Sequence, residues 1–365
     1  MSGMLAVTLL ILCAFCIASC TGKMIDDPMW GTSGGGFATG DTAVTKQNAP
    51  SSGSDESTEG DVGELTVVGG ISLETVAQTD PSMQLGPQSP EEVYANDANV
   101  LRADFLNTGK SDAIIIRMDG KVVLIDTGDS NDFALISSRL ESYGITAIDV
   151  MIISHFDNDH VGSASRIILT YNVGTVYAPD YVRSSANYRN FINAISADGC
   201  NTELVNVKED VRLDLGYGDI WINPTELYPG GQTLGSDDAD EFTEENNYSL
   251  ITTVSFGNTA MLFTGDAEDD RMKEFNTILE SEAANGNDIK YTLVKMPHHG
   301  SYTNGLGATL DGERPRYCVV CVDDAQNVEP STVTKMRVIG AGAYYTYNGD
   351  IYFITNGTGS VIMQK

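Results

Sequence analysis

Basic residues, histidine and cysteine are the scarce components of this chain. Lys and Arg number 21 against 51 Asp and Glu, giving a net charge of −30 over 365 residues. A field of that sign repels polyanions at long range and disfavours a protein that holds long nucleic acid by neutralising phosphates. Of the six cysteines, Cys13, Cys16 and Cys20 fall in the first twenty residues, leaving Cys200, Cys318 and Cys321, which make no disulfide framework. Cys318 and Cys321 lie in Tyr-Cys-Val-Val-Cys-Val, a strand-like run that sends them to opposite faces. A zinc knuckle needs a second pair, which the chain lacks beyond its first twenty residues, so both are expected to pack as small apolar residues. The apolar run Leu5–Ala18 is too short to span a bilayer comfortably and has the length of a signal-peptide core.

That run ends in Ile17-Ala18-Ser19-Cys20, small residues before a cysteine, in the manner of a bacterial lipobox, although no Lys or Arg precedes it. Residues 1–20 are therefore expected to be a lipoprotein-type signal peptide, with Cys20 lipidated and the rest exported and anchored to the membrane; the alternative is an ordinary secretory signal and a secreted protein. Residues 31–70 are rich in Gly, Ser, Thr, Asp and Glu, and Pro81, Pro87 and Pro90 break any pattern beyond them. Residues 21–98 are expected as a disordered low-complexity tether holding one catalytic domain, residues 99–365, clear of the bilayer. The 41% hydrophobic content is normal for a packed core of that size.

The four histidines occupy two places. Val150 to Gly162 reads Val-Met-Ile-Ile-Ser-His-Phe-Asp-Asn-Asp-His-Val-Gly, a buried strand running into a loop with His155, Asp157, Asp159 and His160. Imidazoles and carboxylates so crowded cost solvation and repel one another unless a cation sits among them. Alternation turns His155 and Asp157 to one side and Asp159 and His160 to the other, which suits two neighbouring divalent ions. The other histidines, His298 and His299, follow the strand Thr292–Val294 in Pro-His-His-Gly-Ser.

Around these loops the pattern is α/β. Leu101–Asn107, Ala113–Met118 and Lys121–Ile125 read as strands, the last two joined by an Asp119-Gly120 turn. Asp132–Tyr143 reads as a helix with Phe133, Ile136, Leu140 and Tyr143 on one face and Gly144 as its stop. Asp149–Ile153 returns to the sheet, Val161–Thr170 can form a helix starting at the site, Thr175–Ala178 is a strand and Asn187–Ala197 a helix. Ser249–Phe256 and Ala260–Phe263 form a hairpin that ends at Asp266, and Glu268, Asp269 and Asp270 open a helix whose positive end they favour. The acidic run Ser236–Asn247 does not have EF-hand spacing and reads as a solvated loop.

The Val150–Gly162 segment resembles the signature loop of the metallo-β-lactamase superfamily, in the form His-x-Asp-x-Asp-His instead of the commoner His-x-His-x-Asp-His. Leu106–Ile116, Leu124–Gly128, Asn247–Leu250, Phe263–Asp266 and Lys295–Ser301 resemble, in order, the motifs of the hydrolase domain of the DNA-uptake competence protein ComEC and its soluble relatives. The resemblance runs from about Asp104 to the C-terminus. It implies a four-layer αββα sandwich and two divalent ions, zinc or manganese. The first ion would take His155 and Asp157; the second would take Asp159, His160 and one of His298 and His299. Asp266 would bridge them, with Asp126, Asn247 and Ser301 supporting from behind. Asp159, Asp266 and His299 are the implied catalytic residues. Asp157 makes the first position oxygen-rich, and Glu329-Pro-Ser stands where relatives have His-Pro-Ser.

Two such cations would bring a bridging water towards neutrality as a source of hydroxide, chemistry that suits phosphodiesters. The expected protein is an exported, lipid-anchored hydrolase of a small-molecule or polymer phosphoester. Long nucleic acid is disfavoured by charge unless Arg102, Arg117, Lys295 and Lys110 form a basic patch. A cell-wall phosphocholine or teichoic-acid-type esterase, or another small-ester hydrolase, is the alternative enzyme. A degenerate surface binding protein is the alternative without catalysis, and the intact His155, Asp157, Asp159, His160 and Asp266 speak against it.

Overall fold

A computed structural model describes residues 89–365, apart from 198–200, 229 and 235–244. The expected signal peptide, most of the expected tether, Cys200 and most of the acidic run lie outside the described residues. The chain opens as an antiparallel meander of β1 (Leu101–Phe105), β2 (Ile114–Met118) and β3 (Lys121–Ile125). Both turn residues between β2 and β3, Asp119 and Gly120, have positive φ, as a two-residue hairpin loop requires. Helix α1 (Phe133–Ser142) buries Ile136 and Leu140 and delivers the chain to β4 (Ala147–Ile152), parallel to β3. The short α2 (Asn158–Val161) and α3 (Ala164–Thr170) lead to β5 (Asn172–Pro179), the outlying β6 (Tyr181–Arg183), α4 (Ala186–Ala197) and β7 (Glu203–Val207).

A second sheet then forms from β8 (Val211–Asp214) and β9 (Gly218–Asn223), while β10 (Gln232–Leu234) pairs with β6. It continues through β11 (Ile251–Phe256), β12 (Thr259–Phe263), α5 (Asp269–Ala284), β13 (Leu293–Lys295), α6 (Asn304–Glu313), β14 (Tyr317–Val320), α7 (Pro330–Ile339) and β15 (Gly342–Tyr345). The last strands, β16 (Ile351–Thr355) and β17 (Ser360–Gln364), return to the first sheet beside β1. The first sheet runs β17-β16-β1-β2-β3-β4-β5-β7 and the second β15-β14-β13-β12-β11-β9-β8.

Three apolar layers bind these elements. One lies between the sheets and includes Phe105, Ile116, Ile152, Val254, Phe263 and Phe353. A second joins α1, α3 and α4 to the outer face of the first sheet through Ile136, Leu140, Ile167 and Phe191, and a third joins α5, α6 and α7 to the second sheet through Met272, Leu306 and Met336. The result is the expected αββα order. Cys321 lies between the sheets and Cys318 under the helices, opposite faces of one strand as the alternation predicts. The loops after β3, β4, β12 and β13 meet at one edge.

Two expectations need correction. The packed chain begins before residue 99: Val93 is buried with Tyr352 and Ile354, and the Arg117 guanidinium donates to Glu91 at 2.7 Å. The helix expected over 161–170 is divided at Gly162-Ser163, because the loop after β3 crosses it there. A Cβ at Gly162 would lie 2.4 Å from Asn158 O, 2.5 Å from Ser130 N and 2.6 Å from Asp129 C, all backbone atoms unable to yield separately. Ser163 Oγ ties the crossing by donating to Asp129 O at 2.6 Å. Gly162→Ala is therefore expected to destabilise the fold by about 1–3 kcal/mol through overpacking. The check is the urea midpoint, and an unchanged midpoint would mean that the crossing relaxes freely.

Candidate metal centre

The loop after β4 is fixed by the loop after β3 before any ligand is considered. Asp126, at the end of β3, adopts a left-handed conformation with φ of 55°, a region that Asp tolerates better than most residues. Its carboxylate accepts the Ser154 N–H and the Ser154 hydroxyl, each at 2.7 Å, and lies 2.9 Å from His160 Nδ1. The His160 carbonyl accepts from Thr127 N and Thr127 Oγ1 at 2.7 and 2.8 Å, and Asp112 N donates to Asp159 O at 3.1 Å. Both ends of the Asp159-His160 pair are thus pinned, and His160 Nε2 is left for the site.

Asp159, His160, Asp266 and His299 each offer one ligand atom, and the four atoms lie within 4.8 Å of one another. His160 Nε2 is 3.2 Å from Asp266 Oδ1, His299 Nε2 is 3.3 Å from Asp266 Oδ2, and His299 Nε2 is 3.1 Å from Asp159 Oδ2. Two ligand atoms about 2.1 Å from one tetrahedral ion stand about 3.4 Å apart, so these separations match the edges of a coordination shell. Beside this group, His155 Nε2 is 3.5 Å from Asp157 Oδ2, and the His155 and His160 ring centres are 4.1 Å apart. His155 Nε2, His160 Nε2 and Asp266 Oδ1 are buried without a hydrogen-bond partner among the described residues. Polar atoms buried without hydrogen-bond partners are costly unless a cation satisfies them.

The electrostatics agree. Burial disfavours an imidazolium at His160, yet Asp266 and Asp126 lift it well above its ordinary value. Burial likewise opposes charge on His299, and Asp266 and Asp159 raise it to about 9. Against their own burial, His299 and His160 hold Asp159 down at about 2 and Asp266 well below the usual carboxylate range. Protons on the histidines balance the carboxylates here, a role that divalent cations would take over.

The two adjacent histidines part company. His298 and His299 both have positive φ, 43° and 52°, and the reversed backbone throws their rings apart. His299 Nδ1 lies 2.9 Å from the Cys321 carbonyl, which fixes Nε2 inward. His298, about one-third exposed, lies 3.5 Å from Glu268 Oε1 and 3.5 Å from Asn246 Nδ2, so of the two histidines that the motif left open it is His299 that stands with Asp159, His160 and Asp266. Asn247 also differs from its expected supporting role: its Oδ1 accepts from Arg271 N at 3.2 Å, at the start of α5. The neighbour that supports the site is Ser249, whose hydroxyl accepts the Asp266 N–H at 3.1 Å. Ser301 is half-buried beyond His299, and its N–H donates to His298 O at 3.1 Å, a turn contact and not a ligand contact. Glu329 is exposed, and its N–H donates to Gly300 O at 3.2 Å.

Five residues outside the expected ligand and supporting sets stand behind the site. Lys295 is buried, ion-paired with Asp112, donates to Gly265 O at 2.9 Å and stands 3.7 Å from Asp266 Oδ1. Burial opposes its charge, but Asp112 and Asp266 more than restore it. On the other flank Arg183 binds both Asp157 and the buried Glu245, and Tyr181 donates to Glu245 at 2.7 Å. Asp112 and Lys295 sit in quoted motifs, whereas Arg183 and Tyr181 carried no signal, and Glu245, in the acidic run expected as a solvated loop, is instead buried on Arg183.

A profile of the metallo-beta-lactamase superfamily matches residues 106–311. Among curated proteins, the chain is 26% identical over 224 residues to Recombination protein 2 of Haemophilus influenzae, covering 60% of this chain and 24% of that protein. It is 24% identical over 258 residues to Competence protein ComA of Neisseria gonorrhoeae, covering 69% of this chain and 31% of that one. The chain thus spans well under half the length of these relatives. Among solved structures, the metallo-beta-lactamase fold protein YhfI of Bacillus subtilis aligns with a TM-score of 0.44 and 13% identity, over 68% of this chain and 95% of that one.

Lys295→Met is expected to cost about 3–5 kcal/mol of stability, because it leaves the buried Asp112 carboxylate without its ion partner. Pairing it with Asp112→Asn is expected to recover most of that loss. Urea unfolding of the three variants checks this, and equal stability of single and double variants would show that Asp112 needs no counter-ion.

Proposed function

Because the chain belongs to the metallo-beta-lactamase superfamily, we propose that it is a metal-dependent hydrolase that holds two divalent ions, zinc or manganese, and cleaves phosphodiesters. The observation that carries this reading is the grouping of Asp159, His160, Asp266 and His299, whose four ligand atoms lie within 4.8 Å of one another, with the buried and unpartnered Nε2 of His155 on the neighbouring ring. The donor set fits such ions: Asp159, His160, Asp266 and His299 would hold one, and His155 and Asp157 the other with a share of Asp266. Mixed imidazole and carboxylate donors suit zinc and manganese alike. Bound ions of this kind supply Lewis acidity and bring a coordinated water towards neutrality.

The chain's own groups set up that chemistry. Asp126 at His160 Nδ1 and the Cys321 carbonyl at His299 Nδ1 fix both imidazoles with Nε2 turned towards Asp266, as hydrogen-bonded ligand histidines require. The Asp266 backbone is held by Ser249 and its side chain is faced by Lys295, which keeps both carboxylate oxygens aimed at the cluster. His298, outside the ligand set and partly exposed against Glu268, is the available donor of a proton to a leaving oxygen.

Charge supports a small substrate. Of the four cations considered for a basic patch, Lys295 is buried on Asp112, and Arg102 and Arg117 lie beside Glu91 and Asp104. Export and anchoring through Cys20 remain the reading that the N-terminal sequence supports, and the small or polymeric phosphoesters of an envelope are then the substrates at hand.

Asp266→Asn is expected to abolish turnover of a model diester such as bis-p-nitrophenyl phosphate while keeping the fold, because amidation removes the bridging charge without changing volume. Wild-type activity with unchanged bound metal would reject the two-ion reading. Hydrolysis of that diester is expected to change little between two salt concentrations, whereas single-stranded DNA is cut slowly or not at all. Efficient, salt-sensitive DNA cleavage would establish a nuclease instead.

A further inference from the structure

The flank of the site nearest His155 contains more charge than two ligands explain. Asp157 is one of the two side chains facing the His155 position, and its Oδ1 is taken by Arg183 Nη1 while Oδ2 faces His155 Nε2 at 3.5 Å. The same Nη1 binds Glu245 Oε2, and Glu245 is only 3% exposed. Glu245 is held in turn by Tyr181 Oη, which accepts the Phe156 N–H at 2.9 Å and thereby closes the ring of bonds on the ligand loop itself. A guanidinium on Asp157 alone would cancel the charge that makes Asp157 a ligand. With Glu245 on the far side, the trio keeps one net negative charge, and Asp157 is offered through a single oxygen.

We propose that Arg183 and Glu245 form a neutral clamp that positions Asp157 and sets the metal affinity of the His155/Asp157 position separately from the Asp159/His160/Asp266/His299 position. This rests on the metal-binding reading above. Neither residue is a ligand: Arg183 acts through Asp157, and Glu245 acts through Arg183. The clamp makes a charge-specific demand that a packing role does not. Removing the Glu245 charge alone strengthens the pull of Arg183 on Asp157 and weakens the position. Removing both charges returns Asp157 to its single negative charge and restores it.

The test is calorimetric titration of metal-stripped full-length protein with Mn²⁺ and, separately, Zn²⁺, with a thermal melt beside each titration. Wild type is expected to show a tighter and a weaker class of site. Glu245→Gln is expected to weaken the weaker class by about tenfold or more, while the tighter class moves by less than about threefold. The double variant Arg183→Met, Glu245→Gln is expected to return the weaker class to within about threefold of wild type, a non-additivity that only an interacting pair produces. An unchanged weaker class in Glu245→Gln, or a double variant as weak as the single, overturns the clamp. If Glu245→Gln does not fold, the double variant alone decides, since loss of its weaker class is enough to overturn the proposal. A wild type with one class only removes the clamp and leaves a single-ion hydrolase, whereas a wild type that binds neither metal removes the hydrolase reading itself.

Discussion

The edge of this sandwich is governed by the need to keep buried carboxylates charged. Asp112, Asp126 and Asp266 are nearly inaccessible and Asp159 is only partly exposed, yet all lie within one cluster of side chains. Each has an assigned partner of opposite or shared charge: Lys295 for Asp112, His160 for Asp126, His160 and His299 for Asp266, His299 for Asp159. Desolvation of this order is tolerated only with such pairing. The Nε2 atom of His155 has no hydrogen-bond partner among the described residues, so the pairing is incomplete beside this cluster, whose residues are candidate ligands of a metal ion.

The fold meets this demand by using backbone where side chains would intrude. Asp126, His298 and His299 occupy left-handed backbone, and Gly265 does so at a point where a Cβ would sit 2.7 Å from Ser154 Cβ. Such conformations persist only where surrounding bonds over-determine them. Here those bonds come from the β3 and β4 loops, from Ser249 and from the Cys321 carbonyl, all on rigid strands or their ends. Arg271, buried at the start of α5, reinforces the same edge by donating to Ser249 O and to both oxygens of Asn223. The second sheet and α5 are thereby locked to one another beside the ligands.

Much of the first half of the fold could be read from periodicity. The β2–β3 turn, α1 and the β4 strand follow from Asp-Gly, from Phe133, Ile136 and Leu140, and from an apolar run before a polar loop. The division of the helix after the ligand loop could not, because the steric pressure at Gly162 comes from Asp129 and Ser130, thirty residues away in sequence and in contact only after folding. The strands β8, β9 and β15 and the helices α6 and α7 were not distinguished either, since their short and mixed patterns acquire a buried face only from the sheet they join.

The sequence by itself determined which chemistry was possible: four histidines in two loops, acids at alternating positions beside them, and Asp266 at the end of a hairpin. Those are local facts, since a ligand loop must carry its ligands within a few residues. The tertiary structure alone decided which of two adjacent histidines turns inward, that Lys295 is a buried counter-ion and not a surface cation, that Ser249 and not Asn247 holds Asp266, and that Arg183, Glu245 and Tyr181 reach the ligand loop. The reason is common to all of them. Charge compensation acts through space over a few ångströms, and Lys295 and Asp112, or Arg183 and Glu245, come within that range only when strands remote in sequence end at the same edge.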